Sequence, residues 1–456
     1  MDNRTIAAIA TGNSVGSISV IRVSGADSVK ICDNIFSRKG ELLNAPSHTV
    51  HYGHIVDGKG NYVDEVLVSV FLAPKTYTRE NIVEISTHGG MIASANVMKL
   101  LLENGAYQAE AGEFTKRAFL NGRIDLSQAE AVIDIINAKT TLEQKNALSQ
   151  SRGSLGEKIN EIREKLINLC ASIQVIIDYP DEDLEDVTTE DIIETLKNAK
   201  LKCEKLLATS ENGKIIKNGI RTVICGSPNV GKSSLLNFLS EDNRAIVTEI
   251  AGTTRDIIEE SVNIDGIALV LIDTAGIRNT DDVVEKIGVE KSLESIENAD
   301  LILLVLDSSR EIDNDEKQLL EKTKDKKRII LINKTDICDK KVLENLKNLS
   351  GKDAVEFSTK TGEGAKELFN RIKTMYNIEG LSDANSEIVT NLRHVSSLAN
   401  ARDSLCGAVS SLEGGMPVDI ASIDINLAID YLGQITGKTV SEDIVSAIFH
   451  GFCVGK

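Results

Sequence analysis

An apolar run, Arg221–Cys225, leads directly into Gly226-Ser-Pro-Asn-Val-Gly-Lys-Ser233, and a helix-like run, Ser234–Leu239, follows. A Gly-x-x-x-x-Gly-Lys-[Ser/Thr] stretch between a strand and a helix is a phosphate cradle, and few folds present one. Gly226 and Gly231 let the N–H groups of Asn229, Val230 and their neighbours wrap phosphate oxygens. Lys232 reaches the β- and γ-phosphates, the Ser233 hydroxyl suits Mg²⁺, and Ser234 continues the helix start. A second Gly-Lys-Thr, at Gly437–Thr439, has Leu432 where the first glycine belongs and is set aside.

Around this loop, strands and helices alternate from Gly219 to about residue 376. Strands are predicted at Arg221–Cys225, Glu259–Ile264, Ala268–Ile272, Leu301–Leu306, Arg328–Ile332 and Ala354–Phe357. That is the βαβ signature of a doubly wound, mostly parallel sheet. Four further elements fall at strand ends or adjacent loops, where such sheets bind ligands. Asp273-Thr-Ala-Gly276 offers a carboxylate for Mg²⁺ through water and a glycine N–H for the γ-phosphate. In Asn333-Lys-Thr-Asp336 the carboxylate matches the N1–H and N2–H₂ donors of guanine, which adenine lacks, and Lys334 packs on the base. Ser358-Thr359-Lys360 can present backbone N–H to guanine O6. Thr248–Asp256 lies between helix and strand, where a switch loop belongs. The set predicts GTP rather than ATP.

Many GTPases place Gln directly after Asp-x-x-Gly to orient the attacking water. Here that residue is Ile277, which cannot do so. Either hydrolysis is very slow or another group takes the role. Asn229 either caps a turn or helps hold a monovalent cation where charge builds between the β- and γ-phosphates. Glu285 is either a solvated charge or a carboxylate that orients water.

The flanks differ. Residues 1–118 mix a strand at Ser17–Val23, a helix after Asp27, β-like runs within His48–Leu72 and a helix at Ala93–Leu102, an α+β pattern. Ile159, Ile162, Leu166, Leu169, Ile173 and Ile176 mark one face of a long helix, and Ile192, Leu196, Ala199, Cys203 and Leu206 another. Between them lies the acidic run Asp178–Asp186, where Pro180 breaks the helix; it reads as a solvated interhelical loop, with a surface that repels anions or meets a basic partner as the alternative. Leu392, Val395, Leu398, Leu405, Val409 and Leu412 repeat the helical signal. The expected architecture is multidomain α/β and all-α. It has an α+β domain at 1–118, a helical domain split into 119–217 and 378–456, and a GTPase domain inserted at 218–377.

A balance of 51 basic against 69 acidic residues, net −18, argues against nucleic acid bound over the whole surface and leaves a local basic patch or a partner to do it. Seven widely spaced cysteines without a Cys-x-x-Cys pair argue against disulfides or zinc and for a reducing compartment. The first ten residues do not read as a signal peptide, and no apolar run nears the ~20 residues that span a bilayer. A cytoplasmic protein without membrane contact is expected.

Over essentially its whole length the chain resembles the bacterial tRNA-modifying GTPase family MnmE, also called TrmE. In the inserted domain the resemblance rests on Gly226–Asn237, Ile250–Asp256 and Asp273–Gly276, which related ribosome-associated GTPases share. More specific are Val83-Glu-Ile-Ser-Thr-His-Gly-Gly90, Ala111-Gly-Glu-Phe-Thr-Lys-Arg117 with its continuation to Ala131, and above all Phe452-Cys-Val-Gly-Lys456. The resemblance implies a potassium-activated GTPase in which Asn229, Thr248, Ile250 and Thr253 hold K⁺ while Ser233 and Thr254 hold Mg²⁺. Glu285, twelve residues after Asp273, matches the family's catalytic glutamate and would act with Lys232 and Asn229. It also implies 5-formyl- or methylene-tetrahydrofolate at Arg22, Glu84, Arg123 and Lys456, and a homodimer through the N-terminal domain. The implied process is C5 aminomethyl or carboxymethylaminomethyl modification of the wobble uridine (U34) in tRNA, with the FAD protein MnmG as partner. Two departures stand out. Thr11–Ser17 lacks the family's Pro and double Gly, and Arg123 stands where some members carry Lys. Cys453 is a candidate functional thiol whose role stays open. A ribosome-assembly GTPase is the alternative, but residues 377–456 show no Gly-x-x-Gly loop and no basic face. A scaffold that binds GTP only for stability is a third.

Overall fold

The computed structural model describes residues 4–12, 15–178, 188–241, 245–246, 260–264, 266–272, 296–378 and 388–455. Its strands are β1 (Ile6–Ile9), β2 (Ile18–Ser24), β3 (Thr49–Val56), β4 (Tyr62–Phe71), β5 (Ile82–His88), β6 (Tyr107–Gln108), β7 (Ile220–Cys225), β8 (Ala245–Ile246), β9 (Glu260–Ile264), β10 (Ile267–Ile272), β11 (Leu301–Asp307), β12 (Arg328–Asn333) and β13 (Ala354–Glu356). Its helices are α1 (Ser28–Ile35), α2 (Met91–Glu103), α3 (Glu113–Leu120), α4 (Leu126–Asn137), α5 (Thr141–Ser151), α6 (Ser154–Asp178), α7 (Thr189–Leu207), α8 (Ser210–Asn218), α9 (Lys232–Glu241), α10 (Asn314–Lys322), α11 (Lys340–Ser350), α12 (Ala365–Met375), α13 (Leu392–Glu413), α14 (Val418–Thr436) and α15 (Glu442–His450). They form two compact units.

The first unit comprises Met1–Ile133, Ser149–Lys202 and Ser397–Lys456. Its sheet runs β3-β4-β5-β2-β1-β6. Neighbours are antiparallel except β1 and β6. The strands alternate buried and open positions, and Ile21, Val23, Val68, Val83 and Ile85 meet Val97 and Leu101 of α2 in one core. The helical part follows the 3-4 spacing read above: Ile159, Ile162, Leu166, Leu169 and Ile173 of α6 are buried. α6 packs along α14, whose Ala421, Ile425, Ala428 and Leu432 are buried in turn. Helices from either side of the inserted domain in the sequence therefore pack together. Gly437, at φ +87°, caps the C-terminus of α14, so the second Gly-Lys-Thr is a helix stop.

The second unit comprises Asp134–Leu148 and Cys203–Ser396. Its sheet runs β13-β12-β11-β7-β10-β9-β8. β7, β10, β11, β12 and β13 are parallel, and β9 pairs antiparallel with β10 and β8. Every residue of β11 is buried, as a central parallel strand covered on both faces requires. The helical residues 134–148 join this unit: Asp134 pairs with Lys217 at 2.8 Å, and Leu142 packs against the core of the sheet. No helix among the described residues is long and apolar enough to cross a membrane.

Candidate functional site: a phosphate loop beside a guanine-binding edge

β7 lies between β10 and β11, so its carboxyl end opens at the centre of the sheet. There the chain turns through Gly226–Gly231 into α9, whose N-terminal amides and dipole favour an anion. The glycines are required by space and conformation. Gly226 has φ +150°, and a Cβ there would lie 2.4 Å from the Val305 carbonyl oxygen. Gly231 has φ +102°, and its Cβ would lie 2.3 Å from Asn333 Nδ2. Asn229 itself is left-handed at φ +64°, a conformation asparagine tolerates better than most residues. Lys232 Nζ curls over the loop and donates to the carbonyls of Gly226 and Ser227, at 2.8 Å each.

The ends of β12 and β13 converge on the same loop. Buried Asn333 donates through Nδ2 to the Val230 carbonyl at 2.8 Å and accepts from the Thr359 N–H through Oδ1 at 3.1 Å. It staples the phosphate loop to the Ser358–Lys360 turn, a role its motif does not announce. Lys334 Nζ donates to the Asn229 carbonyl at 2.9 Å and to Asp307 Oδ2 at 2.6 Å. Exposed Asp336 has Oδ1 held by the Ser358 hydroxyl at 2.9 Å, which aims the carboxylate. The Ser358 N–H is spent on the Glu363 carbonyl, so a base oxygen at this edge would use Lys360 N–H or share that of Thr359.

Among the described residues, the oxygen-rich loop of Asn229 and the Ser233 hydroxyl is a hard donor set, suited to K⁺ and Mg²⁺. The neighbouring Cys225 thiol is buried, which pushes its pKa up to about 12. Thr248, Ile250, Thr253, Thr254, Asp273, Gly276 and Glu285 lie outside the described residues, as does Lys456.

The first unit carries a second candidate site. Antiparallel pairing of β2 with β5 sets Arg22 opposite Glu84. Arg22 donates from Nε and Nη2 to Glu84 Oε1, both at 2.8 Å. Its guanidinium lies 5.7 Å from the Tyr77 ring and 5.6 Å from that of Phe114, and Arg123 lies 4.7 Å from Tyr77 on its own approach. Sequence reading missed Tyr77 and Phe114. The one available signal was scarcity, since aromatic residues are 4% of the chain. Phe71, Tyr77, Arg79, Ile82, Glu84 and Arg123 help line a cavity of about 460 Å³. The C-terminal residues are laid against the same domain. Val454 bridges to Ala111, the Gly112 N–H donates to the Cys453 carbonyl, and Arg22 Nη1 reaches the Gly455 carbonyl at 3.5 Å. The Cys453 side chain is exposed.

A family model described as the MnmE helical domain matches residues 126–453, and one described as the GTP-binding protein TrmE N-terminus matches residues 5–123. A tRNA modification GTPase MnmE from Acetivibrio thermocellus is 50% identical over 455 residues, covering 99% of both chains. Proteins of the same name from Thermoanaerobacter pseudethanolicus and Clostridioides difficile are 49% and 48% identical, again over 99% of both chains. Among solved structures, the G domain of the T. maritima FeoB iron transporter is 28% identical over 35% of this chain and 98% of its own, with a TM-score of 0.25. With relatives this similar along nearly the full length, the chain belongs to the MnmE (TrmE) family of tRNA modification GTPases.

Proposed function

We propose that this family member, a GTP hydrolase acting in tRNA modification, hydrolyses GTP with potassium in place of an arginine finger. The observation that carries the reading is the convergence of the Gly226–Lys232 loop, Asp336 and the Ser358–Lys360 turn at the carboxyl ends of β7, β12 and β13, with Asn333 stapling them. In this reading Asn229, Thr248, Ile250 and Thr253 hold K⁺, and Ser233 and Thr254 hold Mg²⁺. The cations supply positive charge where the transition state builds negative charge. The chain's own work is to bind and orient. Asp336 accepts from guanine, Lys232 sits by the phosphates, and Glu285 orients water in place of the missing glutamine at Ile277.

The reading extends to the modification itself: a folate one-carbon donor in the N-terminal domain, C5 of the wobble uridine as target, MnmG as partner, and a homodimer through residues 1–118. The cavity beside Tyr77 supports the folate part. A planar pterin can stack on an aromatic face, Glu84 can accept from its amino-pyrimidinone edge, and Arg123 suits glutamate carboxylates. Tyr77→Ala is expected to weaken 5-formyl-tetrahydrofolate binding about tenfold or more, as equilibrium dialysis would measure. Unchanged affinity in that variant would reject this cavity as the folate site.

A further inference from the structure

The stretch from the last residue of β11 to the N-cap of α10, Asp307–Asp313, carries none of the nucleotide motifs, yet it touches both halves of the site. At its first residue, buried Asp307 accepts from Lys334 Nζ at 2.6 Å, Ser309 N–H at 2.9 Å and Ser309 Oγ at 2.6 Å. Burial works to raise this carboxyl, and those donors outweigh it and hold it below the ordinary carboxylate range. Next to it, the Ser308 N–H and hydroxyl both donate to the Asn333 carbonyl, at 3.0 and 2.8 Å.

At the far end, Asp313 is the N-cap of α10 and accepts the Glu316 N–H at 2.8 Å. The same carboxylate accepts the hydroxyl of Ser227, the second residue of the phosphate loop, at 3.1 and 3.3 Å. Arg310 locks the cap by donating to Asp313 Oδ2 at 3.2 Å and to Glu316 Oε1 at 2.7 Å, with Glu316 2% exposed. Ser227 is a lever on the phosphate end: its carbonyl receives Lys232 Nζ, and its chain continues through Pro228 into left-handed Asn229.

We propose that the Asp307–Asp313 loop is a bracket that sets the base and phosphate subsites at the spacing GTP requires. Asp307 is a positioning residue acting through Lys334, and Asp313 one acting through Ser227. The physical reason is that the two subsites lie on separate strand ends while the nucleotide that bridges them has a fixed span. A few tenths of an ångström of play at either end lowers affinity without unfolding anything. The proposal rests on the reading of these loops as the GTP site.

The test is a double-mutant cycle on the full chain, reading the affinity of a fluorescent GDP, kcat/KM for GTP and the melting temperature. Ser227→Ala removes the hydroxyl and leaves the α10 cap intact. Asp313→Ser keeps a good capping oxygen but withdraws the carboxylate from Ser227. Each is expected to weaken GDP binding about tenfold, and the double variant no further, because both break one link. Asp313→Asn, which caps and still accepts the Ser227 hydroxyl, is the rescuing variant and should recover most of the affinity. Asp307→Asn is expected to cost about tenfold in affinity with the melting temperature nearly unmoved. Unchanged affinity in both Ser227→Ala and Asp307→Asn, or additive losses in the cycle, would overturn the bracket while wild-type turnover upheld the GTP site. Failure of the wild-type chain to bind guanine nucleotide would instead reject the GTP reading, and the bracket with it.

Discussion

Asp336→Asn is expected to lower GTP and GDP affinity by about a hundredfold or more and to create affinity for xanthosine nucleotides. The exposed carboxylate can accept from both N1–H and N2–H₂ of guanine. Hydrogen bonds to a charged group contribute roughly 1.5–3 kcal/mol each, so two of them amount to about 3 kcal/mol or more. The Ser358 hydroxyl already holds Oδ1 at 2.9 Å. An asparagine would keep that bond through its carbonyl oxygen and turn its NH₂ toward the base, donor against donor. Xanthine carries an oxygen at C2 and meets that NH₂ as an acceptor. Titration of the variant with GDP and with xanthosine diphosphate decides it. Undiminished GDP affinity would remove Asp336 from the base site.

Gly231→Ala should nearly abolish nucleotide binding while leaving most of the fold intact. At φ +102° an alanine costs roughly 1–2 kcal/mol of backbone strain. The larger cost is steric, because the new Cβ would stand 2.3 Å from Asn333 Nδ2. Asn333 cannot retreat without giving up its bonds to the Val230 carbonyl and the Thr359 N–H, worth about 1 kcal/mol each. The staple between the phosphate loop and the base-binding turn would open, and an affinity loss of about a hundredfold is expected. Asn333→Ala should show a smaller loss, since it breaks the same bonds without the strain or the clash. Calorimetric titration with GDP checks both. Equal affinity of Gly231→Ala and wild type would contradict the geometry of the loop.

Much of the fold is legible in the sequence wherever one local rule decides. The apolar runs Arg221–Cys225, Ala268–Ile272, Leu301–Leu306 and Arg328–Ile332 lie in strands because a parallel sheet covered on both faces wants continuous Val, Ile and Leu. The phosphate loop and Asn333–Asp336 are legible because their chemistry needs fixed residues at fixed spacing. What stayed hidden depends on pairing across the chain. Arg22 and Glu84 are 62 residues apart and meet only through the register of β2 and β5. Tyr77 gains meaning only between two guanidinium groups that sequence distance does not connect to it. Residues 134–148 fall in the segment read as helical, 119–217, but that reading does not say which core they face, and Leu142 turns out to pack with the α/β sheet. Ser227 fills a position the phosphate-loop motif leaves unspecified, and Asp307 and Asp313 belong to no motif, because a hydroxyl or carboxylate acting through a neighbour leaves no spacing to recognise.

The central claim is a guanine-specific hydrolase whose transition state is stabilised by potassium at Asn229. The most direct measurement is the initial rate of GTP hydrolysis by the full chain in KCl and in NaCl, at equal ionic strength, pH and Mg²⁺. The account predicts a rate about tenfold or more higher in KCl, with the difference lost in Asn229→Ala. Equal rates in the two salts would contradict it.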